Sequence, residues 1–515
     1  MGFLEDRDMT GVPSIPEFYT GKTIFITGGT GFMGKVLIEK LLYSCPELDR
    51  IYLLMREKKG VSPEDRLAHL YKTECYNRLK KDRPGLFESK VFIVSGDVTS
   101  LGLGLSQEDR TLLVNRVNIV FHSAASVRFD DHLYDAVRLN LRGTREMLEL
   151  ASEMKDLCAF VHVSTSYSNT NRDMIEEVLY PPLADWRDAI EVCENLDKDT
   201  INFMTPKYLG EMPNTYVFTK QLAEHAVSET AGRLPVMILR PSIVINSIEE
   251  PMPGWIENFN GPVALVVAVG KGLLRTIYCD TEVVSDYMPV DTCIRSFITA
   301  AWIRGTKKLE ESDTVPIYNC CTSNLKSMTI GEVLETGMES VNEVPLNQGL
   351  WYPGGSMTKC KTLYYLKVSI LTIIIVITSR NSPLRASPTK REVIAVISTL
   401  LKIQRRIFTA NLALRYFLTQ QWKFDNYNFL KLRSCIQLRD KDDFYYEIEN
   451  VDVSSYFISA LRGGRKYLLK EKDEDIDKAR SHMFRYNHRI ILTASMSIPV
   501  FHCYIYNTAI SNPPA

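Results

Sequence analysis

The sequence has no Cys-x-x-Cys pair and no His/Cys cluster at zinc-ligand spacing, although it carries 11 cysteines and 8 histidines. No metal site is therefore expected. Cys320 and Cys321 are adjacent and cannot bridge to each other without strain. Scattered thiols of this kind point to reduced cysteines facing the cytosol. Excess charge of one sign is missing too: 61 Lys+Arg stand against 62 Asp+Glu, a net of -1. That excludes a broad basic footprint for nucleic acid and an acidic solvating tail. With 45% hydrophobic and 24% charged residues, disorder and collagen-like repeats are excluded as well. No internal repeat is present. A mean hydropathy of -0.10 excludes a polytopic membrane protein. The opening MGFLEDRDMT is acidic where a secretory signal is basic and then apolar, and Asp6 stands where myristoylation needs Ser or Thr. The chain does not end in Ser-Lys-Leu.

What is present begins with an extension, 1–20, and then a short apolar run, Thr23-Ile-Phe-Ile-Thr27. It leads into Gly28-Gly-Thr-Gly31-Phe-Met-Gly34, the helical spacing of VLIEKLLYSC, and a second apolar run, Arg50 to Met55. Strand, glycine turn, helix, strand is the βαβ unit of a parallel sheet. Further strands are expected in KVFIVSGD, VNIVFHSAA, AFVHVSTS and PVMILRPS, alternating with helices such as LYDAVRLNLRGTREMLELASEM and YVFTKQLAEHAVSETA. The pattern predicts an α/β fold, a Rossmann-type doubly wound parallel sheet with both faces covered. The sequence divides into a nucleotide-binding domain over 21–355 and a smaller, mainly helical domain over 356–485.

The glycine turn predicts a dinucleotide site, read as GxxGxxG from Gly28 or GxGxxG from Gly29. Thr27, Gly28, Gly31, Phe32, Met33 and Gly34 belong to it. Gly28 makes the turn, Gly31 lets the backbone approach a pyrophosphate, and Gly34 lets helix and sheet pack. Arg56, after the second strand, stands where an acid would meet the ribose 2′-hydroxyl of NAD. A cation there suits the 2′-phosphate of NADPH, with Lys58 and Lys59 nearby; a solvated surface arginine is the alternative. Asp97 and Val98 are placed to meet the adenine ring, unless Asp97 is only a turn cap.

Tyr216-Val-Phe-Thr-Lys220 carries the chemistry. Residues four apart share a helix face, so phenol and ammonium enter one cleft. An ammonium there is expected to lower the phenol's pKa toward neutrality. The hydroxyl-rich strand end Ser164-Thr165-Ser166 lies upstream.

TGGTGFMG, VSTS and YVFTK together resemble an extended short-chain dehydrogenase/reductase. TGGTGFMGKVLIEKLL, VFHSAASVRFD, FVHVSTSYSN, PNTYVFTKQLAE, LRPSIV, GWIENFNGP and QWKFDN are similar, more narrowly, to the alcohol-forming fatty acyl-CoA reductases. The resemblance covers roughly 15–365 and 400–490; between about 366 and 400 the chain departs from it. It implies Tyr216 as general acid, with Lys220 tuning it and holding the nicotinamide ribose. Thr165 is favoured over Ser164 and Ser166 as the third hydroxyl. Asn140 would organise a relay water, or be a structural amide. Pro241 and Ser242 would lie near the nicotinamide carboxamide. The implied reaction is NADPH-dependent reduction of a long-chain acyl-CoA to the primary alcohol and free CoA. The alternatives are another extended reductase, of steroids or nucleotide sugars, and a weakly active membrane-bound partner protein.

Residues 490–515 hold no Lys, Arg, Asp or Glu and follow Arg485 and Arg489. A membrane segment is therefore expected at 490–509, with the catalytic part facing the cytosol from an endoplasmic reticulum or peroxisomal bilayer. Val368–Thr378 is intensely apolar but too short to span, so it lies in an interface or is a buried helix.

Overall fold

A computed structural model describes residues 11–259, 261–306, 314–323, 325–380 and 390–485. Its centre is a seven-stranded sheet. Five strands come early: β1 (Thr23–Thr27), β2 (Arg50–Met55), β3 (Val91–Ser95), β4 (Ile119–His122) and β5 (Ala159–Val163). A two-residue strand outside the sheet, β6 (Met174–Ile175), precedes β7 (Val236–Pro241), and Ile317–Cys320 closes one edge. In space the order is Ile317–Cys320, β7, β5, β4, β1, β2, β3, with every neighbouring pair parallel. The doubly wound α/β sheet predicted from the apolar runs is thus observed. The edge strand is the addition; Ile-Tyr-Asn-Cys is too short and too mixed to stand out as a strand.

The strands are largely apolar because helices cover both faces. All of β1, β4, β5 and β7 is buried, and Phe25, Val120, Phe160, Val236 and Ile238 pack in one cluster with Leu113, Met147 and Leu150 from the helices. Strand order reverses between β1 and β4, which are paired Thr27 to His122. In an open α/β sheet the crevice beyond the carboxyl ends at such a reversal is the ligand position.

Two compact units interleave along the chain. One comprises residues up to Asn258, Val284–Thr329 and Gln420–Asp452, and holds the sheet. The other comprises Phe259–Val283, Ile330–Thr419 and residues from Val453 on. The second is mainly helical: Val269, Leu274, Ile277, Leu334 and Leu418 form its core. Its helix Lys361–Arg380 turns Tyr364 and Leu371 inward and leaves Leu366, Ile370 and Ile373 exposed. Among the described residues no helix is long and apolar enough to cross a membrane. The expected segment at 490–509 lies outside the described residues.

Candidate active site

The glycine turn sits where β1 ends. Gly28 has φ +77, and a Cβ there would come within 2.8 Å of the Ala124 nitrogen in the loop after β4. At Gly34 a Cβ would lie 2.3 Å from the Gly28 carbonyl oxygen, so only glycine lets the helix Phe32–Ser44 start this close to the turn. Gly31 caps that helix with extended backbone and no side-chain cap, and the first turn carries no acid. First-turn N–H groups and the positive helix end then suit an anion such as a pyrophosphate. Thr27 is fully buried: its hydroxyl meets His122 Nδ1 at 2.8 Å, and its carbonyl accepts Ser123 Oγ. Phe32 and Met33, predicted to belong to the turn, are half-buried at the start of the helix.

Arg56 is half-exposed and donates to Asp97 Oδ2 over 2.8 Å. Asp97 Oδ1 accepts from the Thr99 N–H and hydroxyl at 2.9 Å each. Burial pushes the Asp97 carboxyl up, but Thr99 and Arg56 outweigh it and hold it below the usual carboxylate range. Both oxygens therefore have protein partners, as the turn-cap alternative requires. Val98 is buried against Gly143, where a Cβ would lie 2.2 Å from Val98 Cγ1. A second cation escaped the sequence reading. Arg66 donates to the Arg56 carbonyl and to Thr30 Oγ1 of the glycine turn at 3.3 Å. Burial, and then Arg56, lower its pKa. No motif marks it; its helix, Pro63–Tyr71, brings it there.

At the other side of the crevice, Tyr216 and Lys220 lie one turn apart on the helix Thr215–Ser228, started by Asn214, whose side chain accepts the Val217 N–H at 2.9 Å. Lys220 is buried and donates to the Val163 carbonyl at 2.7 Å. Burial lowers its pKa to about 8, with Glu224 opposing. The expectation for Tyr216 is reversed. Burial pushes its phenol up to about 12, and only a hydrogen bond with Thr165 works the other way. At neutral pH the phenol is protonated, a donor rather than a phenolate.

Of the three strand-end hydroxyls, Thr165 is the one that acts on Tyr216, opposing the rise of its pKa. Ser164 donates to Glu224 at 2.5 Å and Ser166 to the Arg240 carbonyl at 2.6 Å. Glu224 is one further turn along the face of Tyr216 and Lys220. It pairs with Arg240 at 2.7 Å, both fully buried, and also accepts from Ser168. This pair was not legible in advance, because its halves come from a helix and a separate strand. Asn140 lies in a π-helical turn, Val137–Arg142. Its Nδ2 donates to Thr219 Oγ1 and the Ser126 carbonyl, and its Oδ1 accepts the Ser126 N–H. Its side chain thus ties the loop after β4 to the Tyr216 helix. Pro241 ends β7 in register with Cys320, and the Ser242 N–H donates to the Cys320 carbonyl. His122 is kept neutral, its pKa lowered to about 3 by burial and then by Lys220.

Two family models, both described as male sterility protein, match the chain: an NAD-binding one over residues 26–297 and a second, Sterile, over 363–471. "Fatty acyl-CoA reductase 1" of Xenopus laevis is 38% identical over 484 residues, 93% of this chain and 92% of that protein. The human protein of that name is 36% identical with the same coverage. "Fatty acyl-CoA reductase wat" of Drosophila melanogaster is 36% identical over 90% of this chain and 87% of its own. Among solved structures, the terminal R domain of the myxalamid pathway has a TM-score of 0.53 at 18% identity, covering 88% of this chain and 92% of that one. The reductase domain of a nonribosomal peptide synthetase from Mycobacterium tuberculosis also scores 0.53, at 17% identity, covering 90% and 96%. These two show the fold. The uncapped, acid-free helix start and the glycine cradle fit the nicotinamide dinucleotide that the NAD-binding match implies. With such relatives spanning nearly its whole length, the chain belongs to the fatty acyl-CoA reductase family.

Proposed function

We propose that the protein reduces a long-chain fatty acyl-CoA to the primary alcohol, releasing CoA, at the expense of NADPH. The observation that carries this reading is the placement of Tyr216 one helical turn from the buried Lys220 ammonium, which is anchored to Val163 in the strand that runs into Thr165. Two hydroxyls so placed can donate to a carbonyl oxygen as it gains negative charge.

When bound, NADPH supplies hydride, and thioester to alcohol is a four-electron change that takes two hydrides. Tyr216 and Thr165 would stabilise the first oxyanion. Collapse of the hemithioacetal breaks the carbon–sulfur bond and expels the CoA thiol, leaving an aldehyde. Tyr216 then protonates the alkoxide formed from it. Lys220 stays cationic below about pH 8, beside the strand end.

The choice of NADPH over NADH is supported by Arg66, whose guanidinium reaches Thr30 of the glycine turn, and by the nearby Arg56, whose guanidinium is paired with Asp97. Thr27, Gly28, Gly31 and Gly34 would cradle the phosphates, and Pro241 and Ser242 would flank the nicotinamide. The site of work proposed is a bilayer of endoplasmic reticulum or peroxisome, with the catalytic part cytosolic. Its support is the uncharged stretch 490–515 behind Arg485 and Arg489. Membranes carrying the protein, given acyl-CoAs of graded length with NADPH or NADH, should yield alcohol with NADPH. Alcohol formation supported equally well by NADH would refute the cofactor reading.

A further inference from the structure

The turn that carries Thr165 is held from an unexpected part of the chain. Thr165 starts a short 3₁₀ turn, Ser166–Asn169, and its hydroxyl accepts the Tyr167 N–H at 3.3 Å. The Tyr167 ring is buried between two aromatic edges. Trp422 meets it at 5.7 Å and 82°, Phe424 at 5.2 Å and 75°. Trp422 Nε1 also donates to the Thr170 carbonyl at 3.0 Å. Lys423–Phe424 pairs in parallel with β6, Phe424 opposite Ile175. The Lys423 N–H donates to the Asp173 carbonyl and the Asp425 N–H to the Ile175 carbonyl. Asn319 clamps both sides, its Nδ2 reaching the carbonyls of Ile175 and Asp425. Buried Glu177 accepts the N–H groups of Asn319 and Phe429.

We infer that the segment 422–429 is a strap that positions the Thr165 hydroxyl, with Phe424 and Trp422 as positioning residues acting through Tyr167. The segment lies inside the stretch matched by the Sterile model, 363–471, yet it belongs to the compact unit of the reductase sheet. The C-terminal family region therefore completes the catalytic turn. The inference rests on the reading of Thr165 as a hydroxyl donor.

The test uses the full-length protein and a double-mutant cycle. Phe424→Leu keeps the site apolar and removes the aromatic edge; its kcat should fall about tenfold, since misplacing a reacting group by about 1 Å can cost up to ~10²-fold. KM for NADPH and acyl-CoA should stay within about twofold. In a Thr165→Ala background the same change should cost nothing further, because the group it positions is gone. Phe424→Tyr should restore turnover. Trp422→Leu runs the same cycle independently, so a folding failure of one variant leaves the other decisive. Equal fractional losses in both backgrounds overturn the inference, as does a loss matched by weaker NADPH binding. Wild-type turnover in Phe424→Leu beside an impaired Thr165→Ala overturns the strap alone. Wild-type turnover in Thr165→Ala overturns the reading of the site and the strap with it.

Discussion

Lys220 donates its ammonium to the Val163 carbonyl over 2.7 Å, and so is fixed to the strand whose continuation carries Thr165. Helix and strand end are thereby locked together, with Tyr216 one turn before the anchor. Burial at this site keeps the Tyr216 phenol protonated and lowers the Lys220 pKa to about 8.

Replacing Tyr216 by Phe removes the donor without removing the ring. Alcohol formation should fall by about 10³-fold or more, the upper part of what a positioned acid contributes. NADPH binding, read by fluorescence, should change less than about twofold.

The pH dependence follows from Lys220, at about 8 in the fold against an ordinary 10.5. If the ammonium is required, turnover should decline as pH rises through about 8, while Tyr216, at about 12, stays protonated. Stability moves the other way. Between about 8 and 10.5 the unfolded lysine binds the proton that the folded one has lost, so this group's contribution to stability rises with pH. Turnover and melting temperature measured across that window check both signs.

Arg66→Ala should raise the KM for NADPH by about tenfold or more, the loss of one charge-assisted contact. The KM for NADH should barely change. Equal effects on both cofactors would place Arg66 in the fold rather than in phosphate recognition.

Glu224→Ala leaves Arg240 buried without its carboxylate partner. Breaking a buried pair from one side costs about 3–5 kcal/mol, so urea unfolding should show a loss of that order. Lysine titration gives a second reading: Glu224 opposes the lowering of the Lys220 pKa, so a folded Glu224 variant should lose turnover at lower pH.

Much of this site was legible in the chain because its signals are local. Continuous apolar runs marked β1–β5 and β7, and the spacing of Gly28, Gly31 and Gly34 marked the turn before the helix. Thr165 was favoured over Ser164 and Ser166 by its place in the motif; the hydroxyls of Ser164 and Ser166 go to Glu224 and to the Arg240 carbonyl. What was not legible depends on burial and on contacts distant in sequence. Spacing alone suggested that Lys220 would acidify Tyr216, whereas desolvation dominates and raises it. Arg66, the Glu224–Arg240 pair and the contacts of Trp422 and Phe424 with Tyr167 each join residues whose partners no periodicity announces. Ile317–Cys320 joined the sheet as an edge strand too short to carry a pattern.

The central claim, acyl-CoA reduction through Tyr216, is tested most directly by stoichiometry. Purified full-length protein in lipid is given a long-chain acyl-CoA and NADPH, and NADPH oxidised, CoA released and alcohol formed are measured together. The account predicts two NADPH consumed and one CoA released for each alcohol, and alcohol formation by Tyr216→Phe lower by about 10³-fold or more. NADPH oxidation without CoA release, or undiminished alcohol from Tyr216→Phe, would contradict it.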